Sequence, residues 1–539
     1  MSTSTNDSFD YIIIGAGSAG CVLANRLSEN PSNKVLLLEA GGADRKMEIG
    51  IPAAYGNLHR SAVDWGFSSE PQQHLYSRSI YLPRGKVVGG CSSTNAMAYV
   101  RGNQADYNEW ASQGNTGWAY SDVLPYFKKS EHNEDLHSEY HGIGGLLNVS
   151  HPKSFQTPFA RAFIEACKQS GIPENKDYNG AEQGGAAIFQ FTIKDGKRHS
   201  AATAFLKPAL SRPNLSVLTR AMVKKIWIEG GKATGVEYIH QKNKIQRAYA
   251  SGEIILSAGS FQSPQLLMVS GLGDADELKV LGIPVIMDLK GVGKNLQDHL
   301  FIIASCLSYK NEGFNHHLNP LNQVMDLIKY QISHKGPLSC SPLEAVAFFS
   351  TGGAVNPDIQ FHFVPLHLGS DYKSDPYKPA TYPRTDGFSI LPTLLKPKSR
   401  GYVKIRSANP FDPPLIQPNF LSEDEDLQML VAGVKKALEV LNANAFSPYR
   451  KSVITPADKS EQGIMEHIRK AVETVYHPTG TCKMGSDYMA VVNEKLQVHG
   501  IKGLRVVDAS IMPTIISGNT NAPTMMIAEK AADMILGIG

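Results

Sequence analysis

The sequence predicts an α/β protein: a Rossmann-like parallel-sheet domain with an inserted α+β domain built on a mixed sheet. Three observations carry that expectation. The run Tyr11-Ile12-Ile13-Ile14 is short, apolar and β-branched, as suits a parallel strand buried on both faces. Gly15-Ala16-Gly17-Ser18-Ala19-Gly20 follows at once, CVLANRLS then places Val22, Leu23, Ala24 and Leu27 at helical spacing, and a second strand, Lys34 to Leu38, ends in Glu39. From about 311 to 420, proline, aromatic and polar residues break the apolar runs, as in KGPLSCSP and NPFDPPLIQPN, which reads as an irregular sheet with long connections.

At 539 residues the chain holds roughly three to four domain-sized units. With 19% charged residues it is too weakly charged for disorder, and a net charge of +3 without runs of like charge argues against nucleic-acid binding. Cys21, Cys91, Cys167, Cys306, Cys340 and Cys482 are scattered without a CxxC pair, so they read as reduced thiols, with no disulfide framework or metal site. MSTSTNDSF lacks the basic and apolar regions of a signal peptide, and no apolar stretch reaches the length of about 18 residues that spans a bilayer. The expected location is cytoplasmic, with peripheral attachment to the inner membrane face left open, since a patch assembled in three dimensions leaves little trace in sequence. The oligomeric state is not legible.

In the first βαβ unit Gly15 permits the tight turn, Gly17 lets backbone approach a pyrophosphate, and Gly20 lets helix pack on strand. The helix N-terminus faces the phosphates, and Glu39, 19 residues past Gly20, can accept from both ribose hydroxyls. Dinucleotide binding follows. A second small-residue block, Gly85 to Asn95 with Gly89 and Gly90, suits close approach to a flat ligand, and Asn95 offers both a donor and an acceptor. In a third block, Gly259 to Gly273, Ser263 can cap a helix with Pro264 at its first position and Gly271 at its end. Helices are also predicted over 424–441, 461–475 and about 523–535. Between the last two lie His477-Pro478-Thr479-Gly480, where Pro478 constrains the imidazole-bearing residue, and Leu504 to Ser510, a strand ending in Asp508 and two small residues.

These blocks together resemble the glucose-methanol-choline (GMC) oxidoreductases, most closely the choline-dehydrogenase-like and alcohol-dehydrogenase branch. GSFQSPQLLMVSGLG, HPTGTCKMG, VVDASIMP and GNTNAPTMMIAEKAADMI are all family-like; the first signature departs at Cys91 and Thr94. The resemblance implies a discontinuous FAD-binding domain at 1–155, 200–310 and 460–539, and a substrate-binding domain at 156–199 and 311–459. It places Ser18, Ala19, Ala40, Trp65, Arg84, Val223, Ala258, Asp508 and Ala509 at the cofactor beside the residues above. FAD is expected without a covalent bond, because choline oxidases attach theirs through a histidine at the position of Thr94, which has no comparable nucleophile.

By the same resemblance, His477 lies at flavin N5 and takes the hydroxyl proton of a primary alcohol while hydride leaves the neighbouring carbon, giving an aldehyde. Asn521 would donate to the alkoxide-like oxygen, or else cap the last helix, whose N-terminus faces the flavin. Glu344, Phe361 and Phe363 are the candidate substrate contacts, the phenylalanines as an aromatic cage, and His299 is read mainly as structural. The electron acceptor, a quinone, a dye or oxygen, stays open. So do the alternatives of a peroxide-producing alcohol or choline oxidase and a non-redox FAD-containing lyase. Related photodecarboxylases carry a cysteine at the position of Ser93, which argues against that activity.

Overall fold

The protein, known here from a computed structural model, is described over residues 8–240, 244–353 and 355–538. Two sheets organise it. In the first, Leu215–Thr219, Val35–Glu39, Ser8–Ile14 and Lys244–Leu256 lie parallel in that order, and Leu504–Val506 adds parallel to Lys244–Leu256. The antiparallel strands Lys232–His240 and Met222–Glu229 extend this sheet. Ile12, Ile13, Leu36, Leu37, Ile254 and Ile255 are fully buried, because helices or loops cover both faces; that burial is why these strands read as unbroken apolar runs.

Register fixes where the loops emerge. Ile14 stands opposite both Leu38 and Leu256, and Leu256 opposite Val506. The segments that follow, beginning at Gly15, Ala40, Ser257 and Val507, therefore leave the sheet at one edge, the carboxyl edge at which open parallel sheets bind ligands. Helix Ser18–Leu27 packs there on the last helix, Asn521–Leu536, locked by two hydrogen bonds of 2.7 and 2.8 Å from Arg26 to the fully buried Glu529 carboxylate. Gly20 is obligatory in this packing: a Cβ would lie 1.9 Å from the Gly15 carbonyl oxygen.

The second sheet runs Arg450–Thr455, Ala304–Ser308, Gly387–Leu394, Ile359–Val364, Ala345–Phe349, Gly185–Ile188, all antiparallel. Helices Pro158–Gln169 and Asp424–Asn442 close its core with Phe159, Phe163, Ala437 and Leu441. Leu300–Phe301 pairs with both Gly387–Leu394 and Glu473–Thr474. The stretches at 300–308 and 473–474, expected in the FAD-binding part, thus belong to this sheet; strands of two to five residues give no period strong enough to assign them.

Four helices differ from expectation. Glu461–Ala471 stops short of Val475, since Val472 turns extended (φ −61, ψ 138) and Arg78 donates to the carbonyls of Arg469 and Val472. Asn521–Leu536 starts before Pro523, which fits inside a first turn that needs no N–H. Pro320–Ser333 is helical within the stretch read as sheet and connections. Gly259–Val269 has Pro264 inside it, so Ser263 is not its cap. The Ser260 carbonyl that Pro264 cannot reach accepts instead from Thr481 Oγ1 at 2.6 Å.

Candidate active site

One cavity follows the carboxyl edge of the first sheet and continues beneath the second. Its nucleotide end is built from glycine contacts. Gly15 (φ +99) would bring a Cβ to 2.5 Å from the Ser257 oxygen, and a Cβ on Gly90 would lie 2.7 Å from Gly17 Cα, so the two small-residue blocks of the sequence press directly on each other. Glu39 accepts at Oε2 from the Ala16 N–H (2.8 Å) and at Oε1 from the Gly41 N–H (2.6 Å). Burial pushes its carboxyl up to about 7 against those two bonds and the Lys86 charge.

Gly15, Gly17, Ser18, Ala19, Glu39, Ala40, Trp65, Arg84, Gly90, Asn95, Val223, Ala258, Asp508, Ala509, His477 and Asn521 all line this cavity. Gly20 and Gly89 stand behind its wall. The Asp508 carboxylate is spent on protein: it accepts from Gly259 N, Ser263 Oγ and Ser510 N, which ties the third block to the fifth. Asn95 Oδ1 likewise accepts from Arg198 Nη1 and Met97 N. Asn521 is not the cap, a place Thr520 takes; its Oδ1 accepts from Ser18 Oγ at 2.8 Å and joins the starts of two helices.

The imidazole end rests on a short chain. Asp298 accepts from the His477 N–H (2.8 Å) and from Thr474 Oγ1, which sets the path of the segment. Tyr476 just before it has φ +67, a strained left-handed conformation of the kind found at functional sites. His477 Nδ1 lies 3.0 Å from His299 Nδ1, and His299 Nε2 lies 3.1 Å from the Leu395 carbonyl. That carbonyl only accepts, so His299 carries its proton on Nε2, its Nδ1 accepts from His477, and His477 Nε2 is left with a lone pair. Burial, with His299, His362 and Arg84 nearby, holds His477 well below the usual histidine range; burial takes His299 to about 3.

The asparagine next to His477 is Asn519, whose Nδ2 lies 3.3 Å from His477 Nε2, while Gln360 donates to its Oδ1. A second imidazole, His362, also lines the cavity; its Nδ1 lies 3.0 Å from Thr393 Oγ1, which donates to Leu391 O, so its buried Nε2 is an acceptor without a partner among the described residues. His59 and Tyr476 border the same end, with ring centroids 5.9 Å apart.

The substrate contacts expected from sequence need correction. Phe361 and Phe363 are fully buried core residues: Phe361 sits edge-on to Phe349, and Phe363 stacks on Phe163. Side chains alternate along Ile359–Val364, so the residues turned toward the cavity side are Gln360 and His362, one position away. Glu344 lies outside the cavity wall, accepting from Thr157 N (2.7 Å) and Thr157 Oγ1. Phe301, Leu343 and Leu391 line that end instead. Asn519 and His362 were signalled only by their place in GNTN and in a period-2 strand.

The residues present fit FAD. Each oxygen of Glu39 accepts a single N–H bond and keeps a lone pair for a ribose hydroxyl, and the glycine contacts leave backbone bare at the N-terminus of helix Ser18–Leu27. Fold and cavity together define an oxidoreductase scaffold that holds a flavin dinucleotide with a histidine at its far end. The chain belongs to the GMC oxidoreductase family, whose N- and C-terminal models match residues 9–301 and 397–528; these are FAD-dependent enzymes.

Among curated relatives, the alcohol dehydrogenase [acceptor] of Pseudomonas putida is 44% identical over 98% of this chain and 96% of its own length. The mitochondrial choline dehydrogenase of Homo sapiens is 44% identical over 99% and 90%. Among solved structures, pyridoxine 4-oxidase from Mesorbium loti has a TM-score of 0.87 at 31% identity, covering 97% of this chain and 98% of that one. The formate oxidase of Aspergillus oryzae RIB40 has a TM-score of 0.92 at 28% identity, covering 99% of both.

Proposed function

We propose that the protein oxidises an apolar primary alcohol to its aldehyde, with His477 Nε2 taking the hydroxyl proton. The observation that carries this reading is the chain Leu395 carbonyl, His299, His477, which presents an unprotonated nitrogen to the cavity. FAD, when bound, would supply the two-electron acceptor for the hydride of the carbinol carbon, with a quinone-like acceptor or oxygen as the final electron sink. Gly15, Gly17, Glu39 and the N-terminus of helix Ser18–Leu27 hold its dinucleotide part, and Thr94 on the cavity wall lacks the imidazole that would make a covalent link. Asn519 Nδ2 is the donor placed to steady the oxygen losing its proton, while Asn521 acts through Ser18 to position the helix starts. Asp298 holds the backbone of His477 and so fixes the imidazole's place.

Identity does not choose between an alkyl alcohol and choline, since both relatives match at 44%. The cavity does. The carboxylates lining it, among the described residues, are Glu39 and Asp508, and the histidine end is walled by Phe301, Leu343 and Leu391. A quaternary ammonium there would have no counter-charge. An alcohol panel tests the reading: alkyl alcohols bleach the flavin in the dark without air, choline does so poorly, and parallel assays with an artificial acceptor and for peroxide identify the acceptor. A flavin left oxidised by every alcohol would refute it.

A further inference from the structure

Helix Pro320–Ser333 is amphipathic in the wrong sense for a core. Leu321, Val324, Met325, Ile328 and Ile332 recur at helical spacing on one face, and each is between 55% and 81% exposed. The opposite side fastens the helix: Tyr330 is buried with its hydroxyl 3.2 Å from the Gly50 carbonyl and 3.1 Å from that of Gly196, and Asp326 pairs with His317 at 2.7 Å. Met47, 54% exposed, continues the apolar surface through its contact with Gln331.

The unpaired charges around this face are mostly positive. Lys329 and Lys335 flank its C-terminal end, and the adjoining hairpin Ile193–Arg198, which meets the helix at Gly196 and His334, brings exposed Lys194 and Lys197. None of the four forms an ion pair among the described residues. Of the neighbouring acids, Glu48 is paired with Lys46 and Asp326 with His317, leaving Asp195 at the hairpin tip. The helix also braces the segment Met47–Leu58, which carries Tyr55 of the cavity wall.

We infer that this face docks on an anionic lipid surface, the aliphatic side chains entering the headgroup layer and the lysines meeting lipid phosphates. A second copy of the chain fits less well, because it would bring a second set of unpaired lysines to the contact and few acids to meet them. Docking would hold the Tyr55 side of the cavity beside the bilayer, where apolar alcohols and quinones partition.

The test is co-sedimentation of the purified full chain with phosphatidylcholine vesicles, with or without phosphatidylglycerol. Wild type should pellet with the anionic vesicles and bind on the order of tenfold less to neutral ones or at high salt. Val324→Glu with Ile328→Glu, and separately Lys329→Glu with Lys335→Glu, should each lose on the order of tenfold in binding while keeping the wild-type thermal midpoint. The lysine pair, lying outside the apolar stripe, keeps the test decisive if the glutamates disturb the helix. Wild type remaining in the supernatant, both variant pairs still pelleting, or a solution dimer broken by Val324→Glu with Ile328→Glu would overturn the inference.

Discussion

His299 and His477 meet through their Nδ1 atoms at 3.0 Å, and with the Leu395 carbonyl against His299 Nε2 only one tautomer of each satisfies both contacts. Removing His477 as His477→Ala should slow flavin reduction about 10²–10⁴-fold with FAD still bound, read by anaerobic stopped flow. His299→Ala leaves the buried His477 Nδ1–H without an acceptor, a cost of about 1–3 kcal/mol. That should appear as a fall in reduction rate of about tenfold to a hundredfold with little change in KM.

The pH dependence follows from burial. Desolvation and the neighbouring His299, His362 and Arg84 hold His477 well below 6.5. A base works when unprotonated, so a lowered value extends activity toward acid. The profile of kcat/KM should stay level through pH 6.5 and fall only below it; a limb at or above 6.5 would assign the proton to another group.

Glu344 is a structural acid. Burial raises its carboxyl from 4.5 to about 7, opposed by Thr157. Because the folded state holds this proton more tightly than the unfolded chain, its contribution to stability declines as pH rises from about 4.5 through about 7. Glu344→Gln removes that decline, so the variant's melting temperature should gain on wild type across this window, with the KM for alcohol unchanged.

Thr481 fills the gap left by Pro264. Thr481→Val strips the hydroxyl that donates to the buried Ser260 carbonyl and should destabilise the protein by about 1–3 kcal/mol in urea unfolding.

Acid precipitation tests the mode of flavin binding. Because Thr94 lacks an imidazole to attach the ring, the yellow colour should stay in the supernatant; a yellow pellet would show a covalent link.

The first sheet was legible because its strands are buried on both faces and the glycines between them have single-residue reasons to be glycine. Gly20 is readable from sequence since no other residue clears the Gly15 oxygen. His477 was legible from its proline neighbour and family pattern. His299 was not, because its role depends on a carbonyl 96 residues away and on which nitrogen faces it. Phe361 and Glu344 were misread for a related reason: residue type suggested a cage, while the pleat of the strand and the Thr157 hydroxyl decide what each touches. Helix Pro320–Ser333 was hidden because its apolar stripe faces outward amid prolines.

The strand Leu504–Val506 joins the first sheet after the strands of the second in chain order, and His477, Asn519 and Asp508 arrive with that late stretch. Synthesis therefore passes residue 504 before the pocket has walls on every side. A product truncated ahead of residue 477, however well its early strands pair, should be colourless.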